Sequence, residues 1–163
     1  MLRLLYAVAC ENIIISETGV VTLVGILERL TIDVPPNVDP KFTVGLKWYV
    51  IGFWTRDPRD AAEPGEYEQL VRVVGADGKI AAEAVAPFVV GEQFVNYRNT
   101  VTLNGFPVIK DGGTVHADVY LRKKGDAEWE RHASFPIILD LREVADANMD
   151  KVENAHSEVS LMR

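Results

Sequence analysis

One cysteine, Cys10, in 163 residues excludes an intramolecular disulfide and any structural zinc site built on two or more thiolates. A chain without disulfides suits a reducing compartment, so a cytoplasmic location is the expectation. Nothing near Cys10 would lower its pKa, and a small buried hydrophobe is the reading that follows. Histidine is scarce as well: His116, His132 and His156 are too scattered to compose a recognisable ligand set. Cations are in deficit, with 17 Lys and Arg against 24 Asp and Glu and a formal charge of −7. Nucleic acids and anionic membrane surfaces both call for clustered Lys and Arg, so neither is expected as a partner. No apolar run approaches the roughly 20 residues of a spanning helix. The opening MLRLLYAVAC resembles a lipoprotein leader, with Arg3, an apolar run and small residues before Cys10. Its run Leu4–Ala9 is shorter than the roughly 7–15 residues of an export segment, and the apolar pattern resumes at Ile13–Ile15, so a first strand is expected. Absent too are the G-x-S-x-G elbow around any serine and the Gly-rich phosphate loop ending in Lys-Ser/Thr. No catalytic or cofactor signature stands out, and a non-enzymatic protein without a cofactor is expected.

What the chain does have is period-two hydrophobicity, on a background of 48% hydrophobic and 25% charged residues that is ordinary for one folded domain. It is clearest in Thr114–Leu139. Val115, Ala117, Val119 and Leu121 alternate with Thr114, His116, Asp118, Tyr120 and Arg122. After the charged reversal Lys123–Glu128, Trp129, Ala133, Phe135, Ile137 and Leu139 recur on alternate positions. This predicts a two-stranded ribbon with one buried face, which needs a second layer to cover it. On that pairing His116 and His132 would both lie on its wet face.

The rest of the chain can supply the layer. Arg3–Cys10 with Ile13–Ile15 reads as one strand interrupted near Glu11-Asn12, and Ser16–Gly19 as its turn. Val20–Val24 returns, Gly25 marks a bulge or a close-packing point, and Ile26–Val34 continues. The Pro-rich loop Pro35–Pro40 precedes the most apolar strand, where Phe42, Val44, Leu46 and Trp48 share a face. From Tyr49 to Trp54 both faces turn apolar, which predicts a cover from the C-terminal tail or from another chain. Asp77-Gly78 between Glu68–Val74 and Ile80–Val90 is a hairpin signal. Phe94–Leu103 follows with Tyr97, Asn99, Val101 and Leu103 on one side, Gly105-Phe106-Pro107 breaks it, and Asp111–Gly113 turns the chain. Turn chemistry every 8–12 residues or so, without βαβ alternation, predicts an all-β antiparallel sandwich, Ig-like or jelly-roll-like, of about 8–10 strands. Pro136 is expected at an edge or bulge. The sandwich spans 1–139. The acidic segment 140–163, with Leu141, Ala145, Met149, Val152, Ala155 and Val159 near helical spacing, is expected as a short helical or extended tail.

Two stretches carry a resemblance. Ala9–Leu30 (ACENIIISETGVVTLVGILERL) and Gly113–Leu121 (GTVHADVYL) with Ser134–Ile137 (SFPI) resemble the opening and closing motifs of a group of uncharacterised bacterial proteins of this length. Val115 stands where that group usually has an aromatic residue, and Ser134 replaces a proline. The likeness covers 1–139 and implies a β-sandwich, with no activity attached.

Among candidate sites, Tyr49, Phe53 and Trp54 point to a contact with a protein partner or a second subunit, because aromatic side chains on an outward face are typical of interfaces. The loop carboxylates Asp57, Asp60, Glu63 and Glu66, with Glu68 beyond, have the oxygen chemistry of a calcium site, but their spacing departs from the known loop and Arg59 sits among them. His116 with His132 is a weaker metal pair. The expected function is therefore a protein-binding or self-assembly module. A calcium-dependent binding domain, or an enzyme whose site is assembled from distant loops, are the alternatives.

Overall fold

Alternation at period two becomes nine strands and no helix in the computed structural model, which describes residues 2–56, 64–92, 95–110 and 112–144. They are β1 (Leu2–Ile15), β2 (Val21–Ile26), β3 (Arg29–Val34), β4 (Lys41–Arg56), β5 (Gly65–Val74), β6 (Ile80–Val90), β7 (Asn96–Ile109), β8 (Gly113–Lys123) and β9 (Glu130–Glu143). A four-stranded sheet runs β2-β1-β4-β7, and a five-stranded sheet runs β3-β9-β8-β5-β6. One core lies between them. It takes Trp48, Val50 and Trp54 from β4, Val71 and Val73 from β5, and Val101, Leu103 and Phe106 from β7. Val115, Ala117, Val119 and Leu121 of β8 meet Ile137 and Leu139 of β9 there. The predicted ribbon is thus the β8–β9 pair, with the expected face turned inward except for Trp129, which precedes β9 and stacks against Arg122 instead.

Two corners join the sheets. Leu27 N donates to Ala9 O of β1, and Ile138 N of β9 donates to Glu28 O, so the run β2–β3 changes sheets between these two residues. It does so without reversing, and β3 therefore pairs with β9 in parallel. This departs from the purely antiparallel expectation. The second corner is β6–β7, where Asn99 Nδ2 donates to Ala86 O at 3.0 Å.

Other boundaries differ from the sequence reading. β1 is continuous through Glu11-Asn12, and its irregularity lies between Leu4 and Tyr6. β7 is not broken at Gly105-Phe106-Pro107: Gly105 adopts φ 82 and the strand continues to Ile109. β9 runs past Leu139 to Glu143, pairing Val34 with Glu143, so the segment from Asp140 begins as strand. The expected helical tail otherwise falls on 145–163, outside the described residues. Pro136 sits opposite His116 of β8, ahead of the first β3–β9 pair at Arg29↔Ile138. At that point β9 has β8 on one side only, so the missing N–H of proline breaks no ladder. No helix of the described residues is long and apolar enough to cross a membrane.

Candidate binding surface

Because Trp48, Val50, Gly52 and Trp54 face the core, the alternate residues Tyr49, Ile51 and Phe53 face away from it. Register places Tyr49 beside Cys10, Ile51 beside Val8 and Phe53 beside Tyr6 on β1. On the other flank they meet Thr102, Thr100 and Arg98 of β7. The Tyr6 and Phe53 rings stack with centroids 4.3 Å apart. Ile51 and Cys10 are buried within this outer face, Tyr49, Phe53 and Val8 are half-buried, and Tyr6 is exposed. Burial raises the Cys10 thiol pKa, opposed by a backbone hydrogen bond at Asn12. It packs as a small hydrophobe.

Trp54 does not belong to this surface. It is fully buried on the opposite side of β4, and its Nε1–H donates to Gln69 Oε1 at 2.8 Å. The aromatic surface expected of Tyr49, Phe53 and Trp54 therefore reduces to Tyr49 and Phe53, joined by Tyr6 from the neighbouring strand. The ladder's alternation puts Arg3, Lys41, Lys47 and Arg98 on this face, Lys41 being paired with Asp77 at 2.7 Å, and no carboxylate from the sheet's own strands among its described residues. Lys47 Nζ lies 5.6 Å from the Tyr49 ring centre.

The outer face of the five-stranded sheet is built differently. Glu68 pairs with Arg122 at 2.7 Å, Arg72 with Glu83 at 2.6 Å, and Arg131 with Asp118 at 2.7 Å. Arg122 stacks 4.2 Å over Trp129, Arg72 lies 4.8 Å over Tyr120, and His116 Nδ1 is 3.1 Å from Ser134 Oγ. Hydrogen bonds to Glu83 and to Tyr120 raise the Arg72 pKa further. This is a solvated, charge-laced face. Exposed apolar side chains gather elsewhere: of twelve large ones among the described residues, seven (Leu5, Tyr6, Ile14, Ile15, Val20, Val24, Ile26) belong to β1, β2 and their connection. Patches of this kind mark contact surfaces.

No family model matches the chain, and no curated protein matches it.

The remaining candidates are not brought together. Asp57, Asp60 and Glu63 lie outside the described residues. Glu66 is ion-paired with Lys124, and Glu68 with Arg122. No group of three His, Cys, Asp or Glu that could hold a metal exists among the described residues. His116 and His132 do not share a face. His132 is the extra residue where Val119 pairs with Ala133 and Tyr120 with Arg131. That bulge turns its ring toward the core, edge-on to Trp54 at 5.1 Å. A hollow of about 620 Å3 beside Phe53 is lined by Val89, Gly91, Asn96, Tyr97 and Arg98, and brings no carboxylate or histidine to pair with that arginine.

Sequence reasoning placed the β1–β2 hairpin but passed over Tyr6 and the hairpin's exposed apolar side chains as a surface. The available signal was Ile13-Ile14-Ile15 answered by Val20-Val21 and Leu23-Val24. Consecutive apolar positions in a strand leave both faces apolar, and only one of them can meet the core.

Proposed function

We propose that the chain is a non-enzymatic protein-binding or self-assembly module, acting in the cytoplasm through the outer face of the four-stranded sheet. We take the two-sheet arrangement for a sandwich of the Ig-like or jelly-roll-like kind, which offers faces and edges rather than a cleft. The observation that carries the reading is the contrast between the two faces. One is laced with ion pairs, whereas the other is apolar and aromatic around Tyr6, Tyr49, Ile51 and Phe53, with four cations and no carboxylate from its own strands among its described residues. An apolar centre with aromatic anchors and a few cations is the composition of a protein contact.

A photoactivatable phenylalanine analogue placed in turn at Tyr6, Phe53 and Val85 tests this in cells producing the chain. Val85 is exposed on β6, in the other sheet. A discrete protein adduct from Tyr6 and Phe53 that Val85 does not give supports the proposal. The same adducts from Val85, or none from Tyr6 and Phe53, overturn it.

A further inference from the structure

Deepening that reading, and resting on it, we infer that the chain's own segment 145–163 covers the outer face of the four-stranded sheet, docked there as an amphipathic helix. A protein partner then gains the face by displacing it. The face is larger than its aromatic centre. Register carries the outward side from Tyr49, Ile51 and Phe53 of β4 to Tyr6, Val8 and Cys10 of β1, and on to Ile14, Val24 and Ile26 of the β1–β2 hairpin. Tyr6 is 51% exposed, Ile14 54% and Ile26 52%. An apolar layer of this extent calls for a cover.

Charge selects the occupant. Arg3, Lys47 and Arg98 stand exposed on this face, and none of them is ion-paired among the described residues. Cations of the opposite outer face are already matched with Glu68, Glu83 and Asp118, so an acidic segment gains nothing there. Residues 145–163 bring Asp146, Asp150, Glu153 and Glu158 against Lys151 and Arg163. At helical spacing Met149, Val152, Ala155 and Val159 form one stripe, with Glu153 on one flank and Glu158 on the other. An apolar stripe between carboxylates answers an apolar centre between cations. Tethering adds to this, because a linked segment meets its site at an effective concentration in the millimolar range. The same segment of a second copy at micromolar concentration does not compete.

The point of departure puts the face within reach. Val144 N donates to Val34 O, so the segment leaves beside the end of β3. Six residues separate Val34 from Lys41, the first of β4, so this is the end of the molecule where Lys41 and Lys47 lie. Packed sheets stand about 10 Å apart. About four or five extended residues, at about 3.3 Å each, carry the chain around the end of the sheet. The remaining fourteen or so make a helix about 21 Å long. From Lys47 to Phe53 the strand β4 spans about 20 Å, and Phe53 lies opposite Arg98. The helix therefore reaches from the cation at one end of the apolar centre to the cation at the other.

The test is made on the purified full chain at micromolar concentration, with the photoactivatable phenylalanine analogue at Phe53 and the linked peptides mapped by mass spectrometry. Links into 149–159 within one chain are expected, and none to that segment from the analogue at Val85. Tyr6 repeats the test should the Phe53 chain fail to fold. Met149→Asp with Val152→Asp is expected to lower the yield about tenfold, and Glu153→Lys with Glu158→Lys to lower it about threefold or more. None of these four changes touches a core residue. In cells the Met149→Asp, Val152→Asp chain is expected to give several-fold more partner adduct from Phe53.

Links from Phe53 that avoid 145–163, or that join two chains, overturn the inference. So does a yield that both pairs of variants leave unchanged. Partner adducts in cells without the internal link remove the cover and keep the face as a protein contact. The internal link, with no partner adduct even from the Met149→Asp, Val152→Asp chain, supports the cover and removes the partner.

Discussion

Trp54 anchors a small buried polar cluster. Its indole N–H reaches Gln69 Oε1, and the edge-on ring of His132 packs beside it. Among the described residues Gln69 Nε2 and His132 Nε2 have no hydrogen-bond partner, and Glu130 Oε2 stands 3.6 Å from the imidazole. Burial depresses the His132 pKa, with Glu130 pulling weakly the other way. The unfolded chain therefore takes up this proton first as pH falls below the usual histidine value of about 6.5. Stability is unaffected above that value. It declines below it and levels off once the folded pKa is passed. Urea unfolding at pH about 7.5 and about 5.5 checks this: the parent chain is expected to lose stability at the lower pH, and His132→Phe to lose measurably less. Equal losses would remove His132 as the cause. The sequence pattern put this histidine on the wet face. The bulge that turned it inward depends on how β8 and β9 meet, which period-two counting along one strand does not contain.

At the scale of an element, β7 shows what a single glycine permits. Gly105 holds φ 82 between Asn104 and Phe106, so the strand shifts register against β4 and still delivers Phe106 and Val108 to the core. Its carbonyl accepts the Trp48 indole N–H at 3.1 Å. A Cβ at this position would stand 2.5 Å from Thr43 Cγ2. Gly105→Ala combines left-handed strain with that clash and is expected to lower the unfolding free energy by about 1–3 kcal/mol. Thr43→Ser removes the offending methyl, so in the double variant it should recover the contact part and leave the backbone part. Urea titration of the two variants separates them. A neutral Gly105→Ala would mean that the turn of chain here is not strained. The tripeptide Gly-Phe-Pro looked like a strand end although the extra residue here belongs to β4, where Gly45 and Leu46 stand opposite Gly105 alone: glycine and proline report an irregular backbone without saying whether the strand resumes.

For the molecule as a whole, charge and apolar surface are segregated. Ion pairs such as Arg72–Glu83 and Arg131–Asp118 lie on one outer face, and apolar exposure gathers at the β1–β2 margin of the other sheet. An exposed pair such as Arg72–Glu83 contributes little to folding, about 0–1 kcal/mol, but it keeps that face wet, whereas Asp118 is itself buried. The net charge of −7 works against any self-association. Screening shortens the reach of that repulsion, with the Debye length falling from about 30 Å at 0.01 M to about 8 Å at 0.15 M salt. If copies of the chain meet through apolar surface alone, their association should strengthen over this salt range, as sedimentation or light scattering would show. Weakening with salt would instead indicate a contact held by opposite charges.

Local chemistry alone determined the class of this molecule. Alternating apolar residues, turn dipeptides and one cysteine are enough to specify strands, most of their inward faces and the ribbon from 114 to 139, because each depends on neighbours a few positions away. The tertiary structure decided the rest: the parallel pairing of β3 with β9, the inward turn of His132, the burial of Trp54 against Gln69, and which strands stand at the margins of the two sheets. These depend on which strands become neighbours across long stretches of chain. A pattern of period two says that a strand has two sides, and only packing says what lies against each of them.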